Sequence, residues 1–341
     1  MIKKTILAIS AILVVLLLIN IDLVIYGLKQ AKGQMHIIYN ARPVDELLAD
    51  DNVADSVKIK LRLIQQVRTY AVQELGLNDS DNYTSMYDQQ GKPVLWVVTG
   101  CKPYALEAKE WDFPVVGTMP YKGFFIEKDA MRTMEELEEE GYDAGVRTVG
   151  GWSTLGWFND PILSNMLDRN TGELANLIIH ELVHATIFVK DSVDFNENLA
   201  SFIAEKGAFM FLEDTYGVES PVYAEYTKDV EDDINYIAHI LRGADSLEVL
   251  YSSFDTDARE VVKKSKKDQM IDRIMSSLDT LNLNKSDYLK KLKGYKPNNT
   301  YFMSFMRYRS KQNNLDNLYT ERFNSNLNEF IVYLSNKHPY L

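Results

Sequence analysis

Apolar and polar residues are spaced along this 341-residue chain with a period that changes from segment to segment. Ile6 to Ile19 is apolar at every position except Ser10, and the apolar character runs on to Tyr26. After Arg42-Pro43 the spacing turns helical. Val57, Leu61, Ile64, Val67, Ala71 and Leu75 fall at steps of three or four, which predicts one helix ending at Gly76. Residues 78–92 are polar around Gly91 and read as a turn region. Short runs rich in β-formers follow at Pro93 to Thr99, Phe113 to Thr118, Gly123 to Ile126 and Gly145 to Val149, and they predict a small, mostly antiparallel sheet. The acidic stretch Lys128 to Glu140 reads as an exposed helix. Beyond Tyr216 helical spacing returns over Ile234 to Leu241, Glu260 to Leu278 and Asn317 to Leu334.

The most informative stretch runs from Asn170 to Lys190. Asn170 with Glu173 three residues later is a capping-box start, and nothing after Gly172 breaks a helix before Lys190-Asp191. His180 and His184 then lie one turn apart on one helix face, about 6 Å along the axis, where two imidazole nitrogens can converge on one ion. Glu181 points partly toward the same face and can reach a metal-bound water without taking a ligand position. Leu174, Leu177, Ile178, Ile179, Leu182, Val183, Ile187 and Phe188 make the helix apolar nearly all round, so it belongs in a core. Two histidines and a carboxylate buried there need a partner, and a metal supplies one. The chain has only 5 histidines, so two of them flanking a Glu at this spacing form a specific signal, the His-Glu-x-x-His pattern of zinc hydrolases.

Catalytic zinc keeps three protein ligands and one open position. A third histidine six residues beyond His184, preceded by a glycine, would mark one subclass, but Ile187 and Lys190 stand there. Downstream, Phe195-Asn-Glu-Asn-Leu-Ala200 opens a second apolar helix. Asn-Glu-x-x-Ala resembles the pattern by which gluzincins supply a Glu, which makes Glu197 the expected third ligand. Three motifs together, Phe113-Pro-Val-Val-Gly-Thr-Met-Pro-Tyr-Lys-Gly-Phe-Phe125, Ser153-Thr-Leu-Gly-Trp-Phe-Asn-Asp-Pro-Ile-Leu-Ser164, and His180-Glu-Leu-Val-His184 with Phe195 to Ala200, are similar to the bacterial "predicted aminopeptidase" family of zinc-dependent gluzincins. The similarity begins at Tyr26, takes in Gly33-Gln34 and Ala41-Arg42-Pro43, and stays specific to about Gly217, with Tyr251 and Asn298-Asn299 as fainter members. It implies an α+β fold: a zincin-like core at 28–217 with its small sheet and active-site helix, and a helical C-terminal subdomain at 218–341. It also implies one Zn²⁺ per chain and a peptide substrate.

Composition narrows the reading. A formal net charge of −12 argues against nucleic-acid binding, because phosphate contacts need clustered Lys and Arg. Cys101 stands alone, so no disulfide forms within the chain. Thr5 to Tyr26 follows Lys3 and Lys4, is close to the roughly 20 residues that span a bilayer, and shows no small-x-small cleavage site. The expectation is an uncleaved signal anchor at 1–27, giving a single-pass cell-membrane protein whose catalytic domain faces the periplasm or exterior.

In the expected mechanism, zinc on His180, His184 and Glu197 lowers the pKa of its water and Glu181 acts as general base. Gly150 to Phe158 reads as an edge strand over the active helix, with Trp152, Ser153, Thr154 and Leu155 contacting an extended substrate. An oxyanion donor is expected among Tyr223, Tyr226, Tyr236, His239 and Tyr308, ligand support from Ser201 or Glu205, and an α-amine partner in Asp160 or Glu205. The alternatives are a zinc endopeptidase and a catalytically silent binding protein, the latter disfavoured by the intact Glu181.

Overall fold

The computed structural model describes residues 5, 19–114, 117–149, 159–285, 289, 292, 294–309 and 312–338. Its first half runs α1 (Ile21–Asn40), β1 (Arg42–Pro43), α2 (Val44–Ala49), α3 (Asp55–Gln73), β2 (Ser85–Tyr87), β3 (Trp96–Cys101), β4 (Trp111–Phe113), β5 (Gly117–Met119), β6 (Lys122–Phe124), α4 (Glu127–Glu139), β7 (Asp143–Thr148) and β8 (Ile162–Leu163). The second half is helical: α5 (Thr171–His184), α6 (Val193–Tyr216), α7 (Pro221–Ser252), α8 (Glu260–Ser276), α9 (Asn299–Arg309), α10 (Gln312–Phe323) and α11 (Leu327–Lys337). The architecture is mixed α+β, mostly helix with small sheets.

The periodic residues of α3 do what their spacing requires: Leu61, Ile64, Val67, Ala71 and Leu75 are all fully buried, facing α5 and α6. Each such leucine or isoleucine contributes about 1.5–3 kcal/mol by leaving water. The α5–α6 contact is close because of Gly207, where a Cβ would lie 2.8 Å from Leu75 and 3.3 Å from Ile179. Leu315, Tyr319, Phe330, Ile331 and Leu334 of the last two helices join the same core. A second core forms where Tyr236, Ile240 and Leu247 of α7 meet Ile271 and Ile274 of α8 and Phe302 of α9.

Strand β3 is the centre of an antiparallel sheet of order β6-β3-β7, with Trp96 opposite both Phe124 and Thr148. This is the small sheet the sequence predicts, with one difference. The run Phe113 to Thr118 does not join it and instead forms the separate β4–β5 pair. A further sheet, β1-β2-β8, sets Met86 against Arg42 and Ile162. Its middle strand lies inside the polar stretch read as a turn. Both of its partners are distant in sequence, so no local periodicity announces it.

Two helix boundaries also differ from expectation. Helix α5 ends at His184 rather than near Lys190, where the backbone bonds tighten: Ala185 N–H is shared between Glu181 O and Val183 O, and Thr186 N–H donates to Val183 O (2.9 Å). The stretch 317–334 is two helices, split where Asn324 and Ser325 adopt φ of 49° and 60° and Asn326 caps α11.

The expectation for the N-terminus is corrected. Most of the apolar run, residues 6–18, lies outside the described residues. Among the described ones no helix is long and apolar enough to cross a membrane, which conflicts with a single-pass protein anchored at 1–27 in the cell membrane. The far end of the expected span belongs to α1, which carries Asp22, Lys29 and Lys32 and docks on the folded protein. Tyr26 donates to Gly123 O (2.9 Å), stacks on Phe113 and meets Phe124 edge-on, and burial pushes its phenol up to about 12. Lys29 pairs with Asp129 at 2.6 Å. An aromatic ring and an ammonium committed to protein contacts are not available as lipid-facing positions.

Candidate metal centre

Helix α5 is fixed at its start by a reciprocal capping box. Asn170 Oδ1 accepts from Glu173 N–H (2.9 Å), Glu173 accepts from Asn170 N–H (3.1 Å), and the Asn170 side chain also donates to Asp229 of α7 (2.7 Å). The 3.6-residue repeat then stacks His180 over His184 near the helix end. Their rings lie 4.8 Å apart at 82°, and the two Nε2 atoms are 3.1 Å apart.

The turn after His184 brings the chain back as α6. Asn196 is buried and binds the backbone of Val189 twice, accepting from its N–H (2.9 Å) and donating to its carbonyl (2.8 Å). Asn198 donates to Asp194 O (2.8 Å), and its own carbonyl accepts from Gln312 (2.9 Å). Glu197 is thus set between two anchored asparagines. Its Oε2 lies 3.4 Å from His180 Nε2 and 3.6 Å from His184 Nε2.

These three atoms form a nearly equilateral triangle. Bonds of about 2.0–2.2 Å to nitrogen and oxygen donors in a tetrahedron place the donors roughly 3.3–3.6 Å apart. The observed edges of 3.4 and 3.6 Å fall in that range, and the edge between the two imidazoles, 3.1 Å, is slightly shorter. Among the described residues this is the one group of three or more His, Cys, Asp or Glu close enough to hold a cation. The side chains keep 16%, 10% and 15% of their surface open, so the cluster is mostly buried without being sealed.

Charge is finely balanced here. Burial alone would raise the Glu197 carboxyl, but the imidazoles of His184 and His180 outweigh it and hold the group far below the usual carboxylate range. Burial likewise works to lower His184, yet Glu197, and then Glu181, leave it above its ordinary value. Two imidazole nitrogens and a carboxylate that compete for protons at this separation are the donor chemistry a divalent ion satisfies.

The remaining sequence-based candidates are placed as follows. Glu181 is half-buried beside His180 and outside the triangle. Ser201 is buried one turn beyond Glu197, and Glu205 is half-buried a further turn on. Asp160 is buried, and its backbone is bonded to Asn82 and Tyr83. Tyr226 accepts from Asn176 (2.8 Å), one turn before His180 on α5. Tyr223 packs on Phe209, the Tyr236 hydroxyl contacts that of Tyr301, and His239 Nε2 lies 3.0 Å from Ile274 O. Trp152, Ser153, Thr154 and Leu155, and the side chain of Tyr308, lie outside the described residues. Sequence reasoning passed over Asn196 as a support for Glu197, although it stands in the quoted Asn-Glu-x-x-Ala motif.

The family described as "Putative aminopeptidase" fits residues 25–336. No curated protein and no solved structure matches the chain. Because the family match runs from α1 into α11 and takes in every residue of the triad, the chain belongs to this aminopeptidase family.

Proposed function

We propose that the protein is a zinc-dependent aminopeptidase, with one Zn²⁺ held by His180 Nε2, His184 Nε2 and Glu197 Oε2. The observation that carries this reading is the triangle of donor atoms with edges close to those of a tetrahedral face, delivered by a capped helix and a clamped one. When bound, zinc supplies Lewis acidity that brings the ionisation of water down toward neutrality and draws charge from a carbonyl oxygen. The chain supplies the rest. His180 and His184 act as neutral ligands, so His184 gives up the proton that Glu197 favours. Glu197 contributes one negative charge, which leaves a divalent site positive toward a developing oxyanion. Glu181 accepts the proton of the attacking water and returns it to the departing amine.

The test uses the full chain loaded with zinc. Glu181→Gln is expected to retain one zinc per chain and to lose about 10²- to 10⁴-fold in turnover of aminoacyl fluorogenic substrates. Undiminished turnover would remove Glu181 from the reaction. Peptides with a blocked amino terminus should resist cleavage, and equal cleavage of blocked and free peptides would make the enzyme an endopeptidase.

A further inference from the structure

Residues of the sheet β1-β2-β8 and of the start of α3 line an open cavity of about 590 Å³, within the size range of small-molecule sites. It shares no residue with the triad. Lys60 in its wall donates to Arg169 O, and Arg169 stands just before the first turn of α5, whose last turn carries His184. The stretch of helix from Asn170 to His180, about 15 Å at 1.5 Å per residue, therefore lies between this end of the cavity and the metal centre.

The lining carries both signs of charge, Arg42 and Lys60 against Asp88 and Asp168, together with the buried apolar side chains of Leu47 and Met86. Long cations that share a cavity with carboxylates ordinarily close onto them. Here each cation is held elsewhere: Arg42 by Asp50 (2.9 Å), which is outside the lining, and Lys60 by the Arg169 carbonyl. Both keep further N–H groups to give. Strand pairing sets Arg42 opposite Met86, Asp88 follows directly on β2, and Asp168 ends the 3₁₀ turn Ser164–Asp168. Asp88 accepts from Gln90 N–H with one oxygen, which leaves the other open. Among the described residues no ion pair joins the two cations to the two acids, and the exposed Asp168 has no bonded partner.

Charges of opposite sign kept apart in one cavity disfavour a simple anion, which would meet the acids, and a simple cation, which would meet Arg42 and Lys60. A molecule with one charge of each sign and an apolar body answers both signs and the apolar surface together. We propose that this cavity binds a free α-amino acid with an apolar side chain, its carboxylate met by Arg42 and Lys60, its ammonium by Asp168 and Asp88, and its side chain by Leu47 and Met86. The site goes beyond the peptidase reading and does not depend on it.

Calorimetric titration of L-leucine into the full chain tests the proposal. One saturable binding event is expected, weakened about tenfold or more in Asp168→Asn and in Arg42→Gln, the loss that follows removal of a hydrogen bond to a charged group. N-acetyl-L-leucine and L-leucinamide, each lacking one charge, should bind more weakly by a similar factor. Absence of saturable binding would overturn the site. Affinity unchanged in Asp168→Asn would also overturn it, by placing leucine elsewhere, including the metal centre, where the proposed reaction releases free amino acids. Equal affinity for N-acetyl-L-leucine would refute recognition of the ammonium and with it the ligand class. Because Arg42→Gln also removes the pair with Asp50, the melting temperature of both variants is measured, and Asp168→Asn, which breaks no bond of the fold, decides the outcome.

Discussion

Two of the clusters of buried polar side chains among the described residues deal with charge in opposite ways. At the joint of β7, α7, α8 and α9, Lys267 pairs with Asp143 and donates to Pro103 O (3.0 Å). Asn299 gives its N–H to Asp143 (2.9 Å) and its amide to Lys102 O (2.9 Å), and it accepts from Tyr251 (2.7 Å). Donors there meet acceptors, and the cation is an ammonium that belongs to the chain. In the other cluster, on α5 and α6, Glu197 faces two imidazole nitrogens in place of an ammonium, and the three donor atoms converge on one point. Burial of polar groups is common to both, so burial does not mark function. Convergence of three ligand-type atoms is what sets the second cluster apart, and it is the geometry that the proposed ion would use.

The strongest way to break this comparison is Lys267→Met, which strands Asp143 in a buried position. Removing one partner of such a pair costs about 3–5 kcal/mol. Denaturant unfolding should register that loss while zinc content stays at one per chain. A parallel loss of zinc would mean that the two clusters are a single unit. Next in size is Asn196→Ala, which frees both backbone groups of Val189. It should cost about 1–3 kcal/mol in stability and weaken zinc binding about 10- to 100-fold, measured by competition with a chelator. Unchanged affinity would show that Glu197 finds its place without the clamp.

The smallest effect concerns pH in the zinc-free chain. Burial opposes the charge on both groups, yet His184 sits above its ordinary value because of Glu197. Its contribution to stability is complete below the unfolded value of 6.5 and is lost as pH rises through the folded value. Glu197 sits below its ordinary value through the imidazoles, so its contribution holds above 4.5 and fades as pH falls through the folded value. The zinc-free chain should melt at its highest temperature between those two values and lower as pH rises through the raised folded value of His184. Zinc affinity should move the other way, rising with pH, since ligation displaces the His184 proton. Affinity independent of pH would contradict that displacement.

What the sequence made legible was local. The cap at Asn170, the one-turn spacing of His180 and His184 and the periodic face of α3 are encoded within a few residues of themselves, and the backbone repeat turns them directly into geometry. Glu197 needed more, a motif read by resemblance, and the structure delivers it through Asn196, whose two bonds reach back to Val189. Features that depend on distant partners were not legible. Ser85–Tyr87 is a strand only because Arg42–Pro43 and Ile162–Leu163 flank it. Tyr83 is clamped by residues on either side of the motif helix's sequence neighbourhood, Asp160 and, through Asn78, Thr186. The N-terminal run misled because hydrophobicity alone cannot say whether Tyr26 ends in lipid or against Phe113 and Phe124.

The claim on which all of this turns is that His180, His184 and Glu197 hold one divalent ion together. X-ray absorption at the zinc edge, on full-length protein with its metal content determined on the same sample, tests it most directly. The account predicts one zinc per chain with two imidazole nitrogens and the remaining ligands oxygen at about 2.0–2.2 Å. A chain that takes up no zinc, or one whose zinc shows no imidazole scattering, would contradict it.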